Sequence, residues 1–138
     1  MDGHPNRTCL ARLPDGELLV LGPEDLATID GLRAKPDHVV WLDIVSPTAD
    51  DLALLRDEFD IHPLAMEDME KRKQRPKIDT YGAQHMLVSY EIVPAVDEAR
   101  TFDLSELHLF TGQGYLISVR WQASPAIEEV DRLSLIHI

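Results

Sequence analysis

Val39-Val40-Trp41-Leu42-Asp43-Ile44-Val45 is nearly continuous apolar sequence, rich in β-branched residues. That is the pattern of a strand buried on both faces. Ser46-Pro47-Thr48 interrupts it. Ser46 or Thr48 can cap a following helix, and Asp50 and Asp51 then fall in its first turn, where the helix dipole favours negative charge. Leu52, Leu55 and Phe59 recur at steps of three and four, which predicts an amphipathic helix over about 48–58. Strand, tight turn and helix form half of a βαβ unit and set the class as α/β.

Working outward, Pro63 opens a second short helix that runs to about Glu70. After a basic stretch the hydrophobic period becomes two. Met86, Val88, Tyr90 and Ile92 share one face of a strand over 84–93, and Tyr81-Gly82-Ala83 turns it back from Lys77–Thr80. Leu107 and Leu109 alternate in a strand over 104–110. Thr111-Gly112-Gln113-Gly114 forms a turn, and Tyr115, Ile117, Val119 and Trp121 mark the partner strand over 114–121. Ser124-Pro125 begins a last helix, with Ile127 and Val130 on its apolar stripe. On the other side, Glu17–Leu21 reads as a short strand, and Gly22-Pro23 starts a helix that ends near Pro36. Residues 1–16, with Gly3, Pro5, Pro14 and Gly16, read as a loosely ordered lead-in to a domain over 17–138. The expected architecture is α/β (α+β), a mixed parallel/antiparallel sheet sandwiched between helical layers. Its predicted core is Trp41, Leu42, Ile44, Leu52, Leu55, Phe59, Val88, Ile117 and Val119.

Composition narrows the function. The chain has 138 residues, about one domain. Thirteen Lys and Arg stand against 25 Asp and Glu, a formal net charge of −12, which argues against broad nucleic-acid binding. Cys9 is the single cysteine, so no internal disulfide forms, and a reducing compartment is the simpler expectation. The N-terminus lacks a basic start followed by an apolar run, and no segment holds the roughly 18 apolar residues that a bilayer span needs. The last helix carries no terminal Gly or Pro, and Leu133 to Ile138 lose the polar face. Truncation before a continuing helix is the expectation.

Lys71, Arg72, Lys73, Arg75 and Lys77 gather five basic residues into seven positions. A solvated loop at a helix C-terminus, where cations favour the dipole, is weighed there against an anion-binding patch. Glu67, Asp68 and Glu70 put three carboxylates near the end of the second helix. Mg²⁺ takes one or two carboxylates and keeps several waters, so Glu67 and Asp68 are candidate metal ligands. The plainer reading pairs Glu67 with Lys71 and Asp68 with Arg72 at i,i+4. His4, His38, His62, His85, His108 and His137 show no zinc spacing. His62 reads as a helix-start residue, and His85 and His108 as strand residues on solvated faces. No serine sits in a Gly-x-Ser-x-Gly elbow, and Gly112-Gln113-Gly114 precedes no phosphate-loop lysine, so no catalytic residue is assigned.

The order of motifs is more specific than any one of them. Trp41-Leu42-Asp43-Ile44, Pro47-Thr48 with an acidic helix, Phe59-Asp60-Ile61-His62-Pro63-Leu64-Ala65-Met66-Glu67-Asp68 and Gln74-Arg75-Pro76-Lys77-Ile78 together resemble the soluble domain of CorA-type divalent-cation transporters. The later strands and the helix from Pro125 continue the likeness, which covers roughly residues 39 to 133. The resemblance implies a non-enzymatic, metal-sensing cytosolic domain of a magnesium/cobalt transporter. In the family this domain leads to a stalk helix, two membrane spans and a homo-pentamer on the cytoplasmic side of the cell membrane. It further implies a regulatory Mg²⁺ site at Glu67 and Asp68, shared between protomers and weak in this chain alone. The alternatives are a zinc-transporting branch of the family, or a metal-dependent enzyme using Glu67, Asp68 and His62.

Overall fold

The computed structural model describes residues 6–21, 31, 35, 37–122 and 124–136. Seven strands form one sheet: β1 Arg7–Arg12, β2 Leu18–Leu21, β3 Val39–Val45, β4 Lys77–Tyr81, β5 Gln84–Pro94, β6 Phe102–Gly112 and β7 Tyr115–Arg120. Among the described residues three helices with full bounds accompany them: α1 Ala49–Asp57, α2 Pro63–Lys71 and α3 Pro125–Ile136. The strand order is β2-β1-β3-β7-β6-β5-β4. All neighbours run antiparallel except β3 and β7, which are parallel, with Leu42 opposite Ile117 and Ile44 opposite Val119. The sheet is therefore mixed, as the sequence predicts. The helix expected from Gly22 to near Pro36 falls almost wholly outside the described residues.

Period two fixes the inward face. Cys9, Ala11, Val40, Leu42, Ile44, Met86, Val88, Phe110, Tyr115, Ile117 and Val119 pack beneath Leu54 and Leu55 of α1, Phe59 and Ile61, and Ala65, Met66 and Met69 of α2. The predicted core positions Leu42, Ile44, Leu55, Phe59, Val88, Ile117 and Val119 are buried there. Leu52 is only partly buried at the rim. Trp41 points to the opposite face, half-buried, because its odd register places it on the other side of the pleat from Leu42.

One correction concerns the start of the chain. The expected loose lead-in over 1–16 contains β1, whose Cys9, Leu10 and Ala11 are buried between β2 and β3. The physical reason is a polar tie. Thr48 and Asp51 form a capping box at α1, and Asp51, fully buried, also accepts from the Asn6 amide at 2.7 Å and from the Arg7 guanidinium. Burial by itself raises the Asp51 carboxyl, but the Thr48 N–H and the Asn6 and Arg7 side chains outweigh it and hold the group below its usual range.

α3 lies on the opposite face. Its Ser124 hydroxyl and Ala126 N–H donate to the Glu91 carboxylate of β5, and Ser124 accepts from Ile127 N–H at 3.1 Å. Beneath it, Thr8, Leu10, Trp41, Asp43, Arg120, Ile127 and Glu128 line a cavity of about 230 Å³. Helices thus cover both faces of the sheet.

Candidate metal centre

α2 is set by its first residues. His62 caps it, with Nδ1 accepting Leu64 N–H at 3.1 Å, and Pro63 follows where a missing N–H costs little. The His62 ring stacks on Tyr81 with centroids 4.3 Å apart, and Gln84 bridges His62 N–H and the Asp60 carbonyl. With Ala65, Met66 and Met69 committed to the core, Glu67, Asp68 and Glu70 take the outer arc of the helix.

The two candidate ligands have different surroundings. Glu67 is about half exposed and pairs with Lys71 at 2.6 Å, the predicted i,i+4 partner. Asp68 does not pair with Arg72. Its Oδ2 accepts from Lys77 Nζ at 2.6 Å, and the same ammonium reaches Asp79 at 2.9 Å. Lys77 comes from β4, so this partner follows from the hairpin and not from helical spacing. Its hydrogen bonds to Asp68 and then Asp79 raise the Lys77 pKa. Burial, followed by the charges of Asp79 and Asp68, pushes the nearby Tyr81 phenol up as well.

Glu67 and Asp68 therefore point apart, as adjacent residues on a helix must, at about 100°. His62 lies at the other end of α2, about 9 Å along the axis from residue 68, with its Nδ1 occupied as a cap. It does not converge with the carboxylates, which removes the geometry that an enzyme built on these three groups needs. Among the described residues no three His, Cys, Asp or Glu side chains group closely enough to hold a metal ion. The oxygen donors suit a hydrated hard cation by their chemistry, and each can give one ligand, but together they make an incomplete site.

The basic window after α2 stays largely exposed, but several of its groups make contacts within the molecule. Besides Lys71 and Lys77, the Arg72 guanidinium sits 4.3 Å over the Trp121 ring, and Lys73 and Gln74 donate their backbone N–H groups to Glu106 at 2.7 and 3.3 Å. Here the sequence reading needs a second correction. His108 is not solvated: it is fully buried, with Nε2 2.5 Å from Glu106 Oε2. Leu107 and Leu109 look like the buried alternation of β6, yet they are the half-exposed positions, and Glu106, His108 and Phe110 face inward. In the sheet Glu106, His108 and Phe110 stand opposite Tyr90, Val88 and Met86, a pairing that the spacing within β6 alone does not show.

The model of the family described as "CorA-like Mg2+ transporter protein" matches residues 36–134. The chain is 32% identical over 90 residues to "Putative metal ion transporter YfjQ" of Bacillus subtilis (strain 168), a match covering 65% of this chain and 27% of that protein. Among solved structures, the full-length CmaX protein superposes with a TM-score of 0.76 at 17% identity, over 96% of this chain and 40% of that one. The ZntB cytoplasmic domain from Vibrio parahaemolyticus RIMD 2210633 gives 0.69 at 18% identity, over 99% and 51%. At these identities the structural likeness is one of fold. The chain spans about a quarter of the length of the curated relative and about half or less of the solved chains. Among the described residues no helix is long and apolar enough to cross a membrane.

Proposed function

The chain belongs to the CorA-like Mg²⁺ transporter family, and from that membership we propose that it is the cytosolic regulatory domain of a magnesium/cobalt transporter, sensing divalent cations through Glu67 and Asp68. The observation that carries the reading is the placement of this pair. Both carboxylates end α2 at the surface, each balanced by a lysine ammonium at 2.6 Å, where a divalent cation can compete. Burying them in an apolar core would forbid that exchange. The transported ion is the substrate of a pore outside these residues, and its identity is set there.

The regulatory site is completed in a homo-pentamer on the cytoplasmic side of the membrane. Carboxylates brought together between protomers repel, and a divalent cation offsets the repulsion. Metal then favours the closed ring by its differential affinity for that arrangement. Alone, this chain lacks the remaining ligands and binds Mg²⁺ at millimolar concentration or weaker, since Mg²⁺ demands near-octahedral geometry and sheds water reluctantly.

The test is an NMR titration of the chain with Mg²⁺, following backbone amides. Shifts concentrated at residues 66–69 and 77–79, and abolished in Asp68→Asn, support the assignment. Shifts elsewhere, or an unchanged response in a folded Asp68→Asn variant, remove Asp68 from the site.

A further inference from the structure

The helix that carries Glu67 and Asp68 stops on an uncommon turn. Arg72 adopts φ 59° with ψ −173°, and Lys73 follows at φ 53°. A left-handed φ combined with an extended ψ is backbone space nearly reserved for glycine, since a Cβ there meets the neighbouring carbonyl. Arg72 holds such a conformation, with a second positive φ at Lys73, only where the surroundings over-determine it.

The surroundings do so from three directions. Glu106, a β6 carboxylate only 5% exposed, accepts both N–H groups that follow the strained residue, from Lys73 and Gln74. The Tyr90 hydroxyl of β5 donates to the Gln74 carbonyl, and the Gln74 amide reaches back to the Arg72 carbonyl at 3.2 Å. The Arg72 guanidinium lies on Trp121, just past β7, and Trp121 in turn meets the edge of His108 at 5.2 Å. His108 fixes the orientation of Glu106. An ionised carboxylate is costly to bury, and this one spends its acceptors on the turn.

The same turn is continuous with the candidate ligand. Arg72 N–H donates to the Asp68 carbonyl at 3.1 Å, closing the last turn of α2, and Lys77 returns to the Asp68 carboxylate. We propose that Glu106 is a latch on this strained turn, holding the end of α2 so that Asp68 stays on Lys77. With the latch released, Arg72 and Lys73 relax to ordinary backbone, the last turn of α2 frays, and Asp68 leaves its lysine. A cation that takes Asp68 from Lys77 therefore favours the released turn, and by linkage the released turn favours the cation. Glu106 tunes the metal response without touching the ion. This coupling rests on the metal reading above, and the latch itself rests on the backbone geometry.

Amide hydrogen exchange on the full chain, with Glu106→Gln, Arg72→Gly and the double variant, separates the two. Glu106→Gln is expected to speed exchange at Lys73 and Gln74 about tenfold or more while the amides of β3 and β7 stay protected. The effect should shrink in the Arg72→Gly background, because glycine adopts the turn without strain. Unchanged exchange at Lys73 and Gln74, or loss of protection across the whole sheet in both backgrounds, overturns the latch. For the coupling, Mg²⁺ should speed exchange at the same two amides, and Glu106→Gln should tighten the Mg²⁺ midpoint several-fold. An unmoved midpoint defeats the coupling while leaving the metal site standing. If Mg²⁺ perturbs no amide of the wild-type chain, it is the metal reading that fails, and the exchange of the Glu106 and Arg72 variants still decides the latch.

Discussion

Under α1 and α2 the sheet presents Leu42, Ile44, Ile117 and Val119, each at most 2% exposed; under α3 the same two strands present Trp41, Asp43, Ser118 and Arg120. The first set is apolar volume. The second is a chain of polar contacts beside a cavity: Trp41 Nε1–H to Ser118 Oγ at 3.0 Å, Ser118 to Asp43 at 2.7 Å, and Arg120 Nη2 to Asp43 at 2.9 Å. Burying area stabilises directly, whereas a buried ion pair roughly breaks even against its desolvation. What the polar face adds is register. A slip of one residue between β3 and β7 would turn Asp43 into the apolar layer, so the pair opposes every misaligned form of the one parallel junction.

That contrast can be broken by mutation. The largest loss is expected from Asp43→Ala, which strands a buried guanidinium and should cost about 3–5 kcal/mol. Replacing both partners, Asp43→Leu with Arg120→Met, should return stability to near wild type in a denaturant titration. A double variant as unstable as the single one would mean that the polar face stabilises in its own right. On the apolar face, Leu55→Ala should cost about 2–5 kcal/mol, with no second substitution able to restore it as simply. A loss well below 1 kcal/mol would show that this helix packs loosely.

A smaller effect probes the margin of the apolar face, where Glu106 and His108 intrude. Burial draws the His108 imidazole below its ordinary 6.5, although Glu106 pulls the other way. Burial raises Glu106, but hydrogen bonds from His108, Lys73 and Gln74 prevail and lower it from 4.5. Both groups bind protons more readily unfolded than folded, so their contribution is complete above about pH 6.5 and is lost as pH falls. Denaturation midpoints should drop between pH 7.5 and 5.5, and less so in His108→Gln. Equal midpoints in the wild-type chain would show that His108 is not held neutral. The smallest effect belongs to the surface: Glu67→Gln removes an exposed pair with Lys71 and should leave the midpoint unmoved within error.

The elements with a clean period were readable in advance. Strand 39–45, the hairpins from 77 onward and helix 49–57 announce themselves by apolar spacing and turn residues, and the motif order around His62-Pro63 points to the family. β1 was not readable, because Cys9-Leu10-Ala11 is too short to show a period and the strand is tied down by β3 and by the Arg7–Asp51 contact, thirty to forty-odd residues away. The candidate site was half legible. The pair Glu67–Lys71 follows from helical spacing, but the partner of Asp68 comes from another strand, and His108 was misplaced because Leu107 and Leu109 mimic the inward alternation of β6.

The parallel junction between β3 and β7 also dictates an order of assembly. Strands β4 to β7 form a meander of sequence neighbours, joined by tight turns at Gly82 and Gly114, both at positive φ, and by a loop over 95–101. β3 takes β1 along one edge, but its other edge has no such near partner: Val40 waits for Tyr115, 75 residues on, and β1 and β2 reach the rest of the sheet only through β3. On a ribosome the first third of this chain emerges with its pairing edge unfilled until β7 is made. Loop closure of that length is slow relative to a hairpin. The β7-facing edge of the continuous apolar strand Val39–Val45 is thus open to wrong partners until β7 is made.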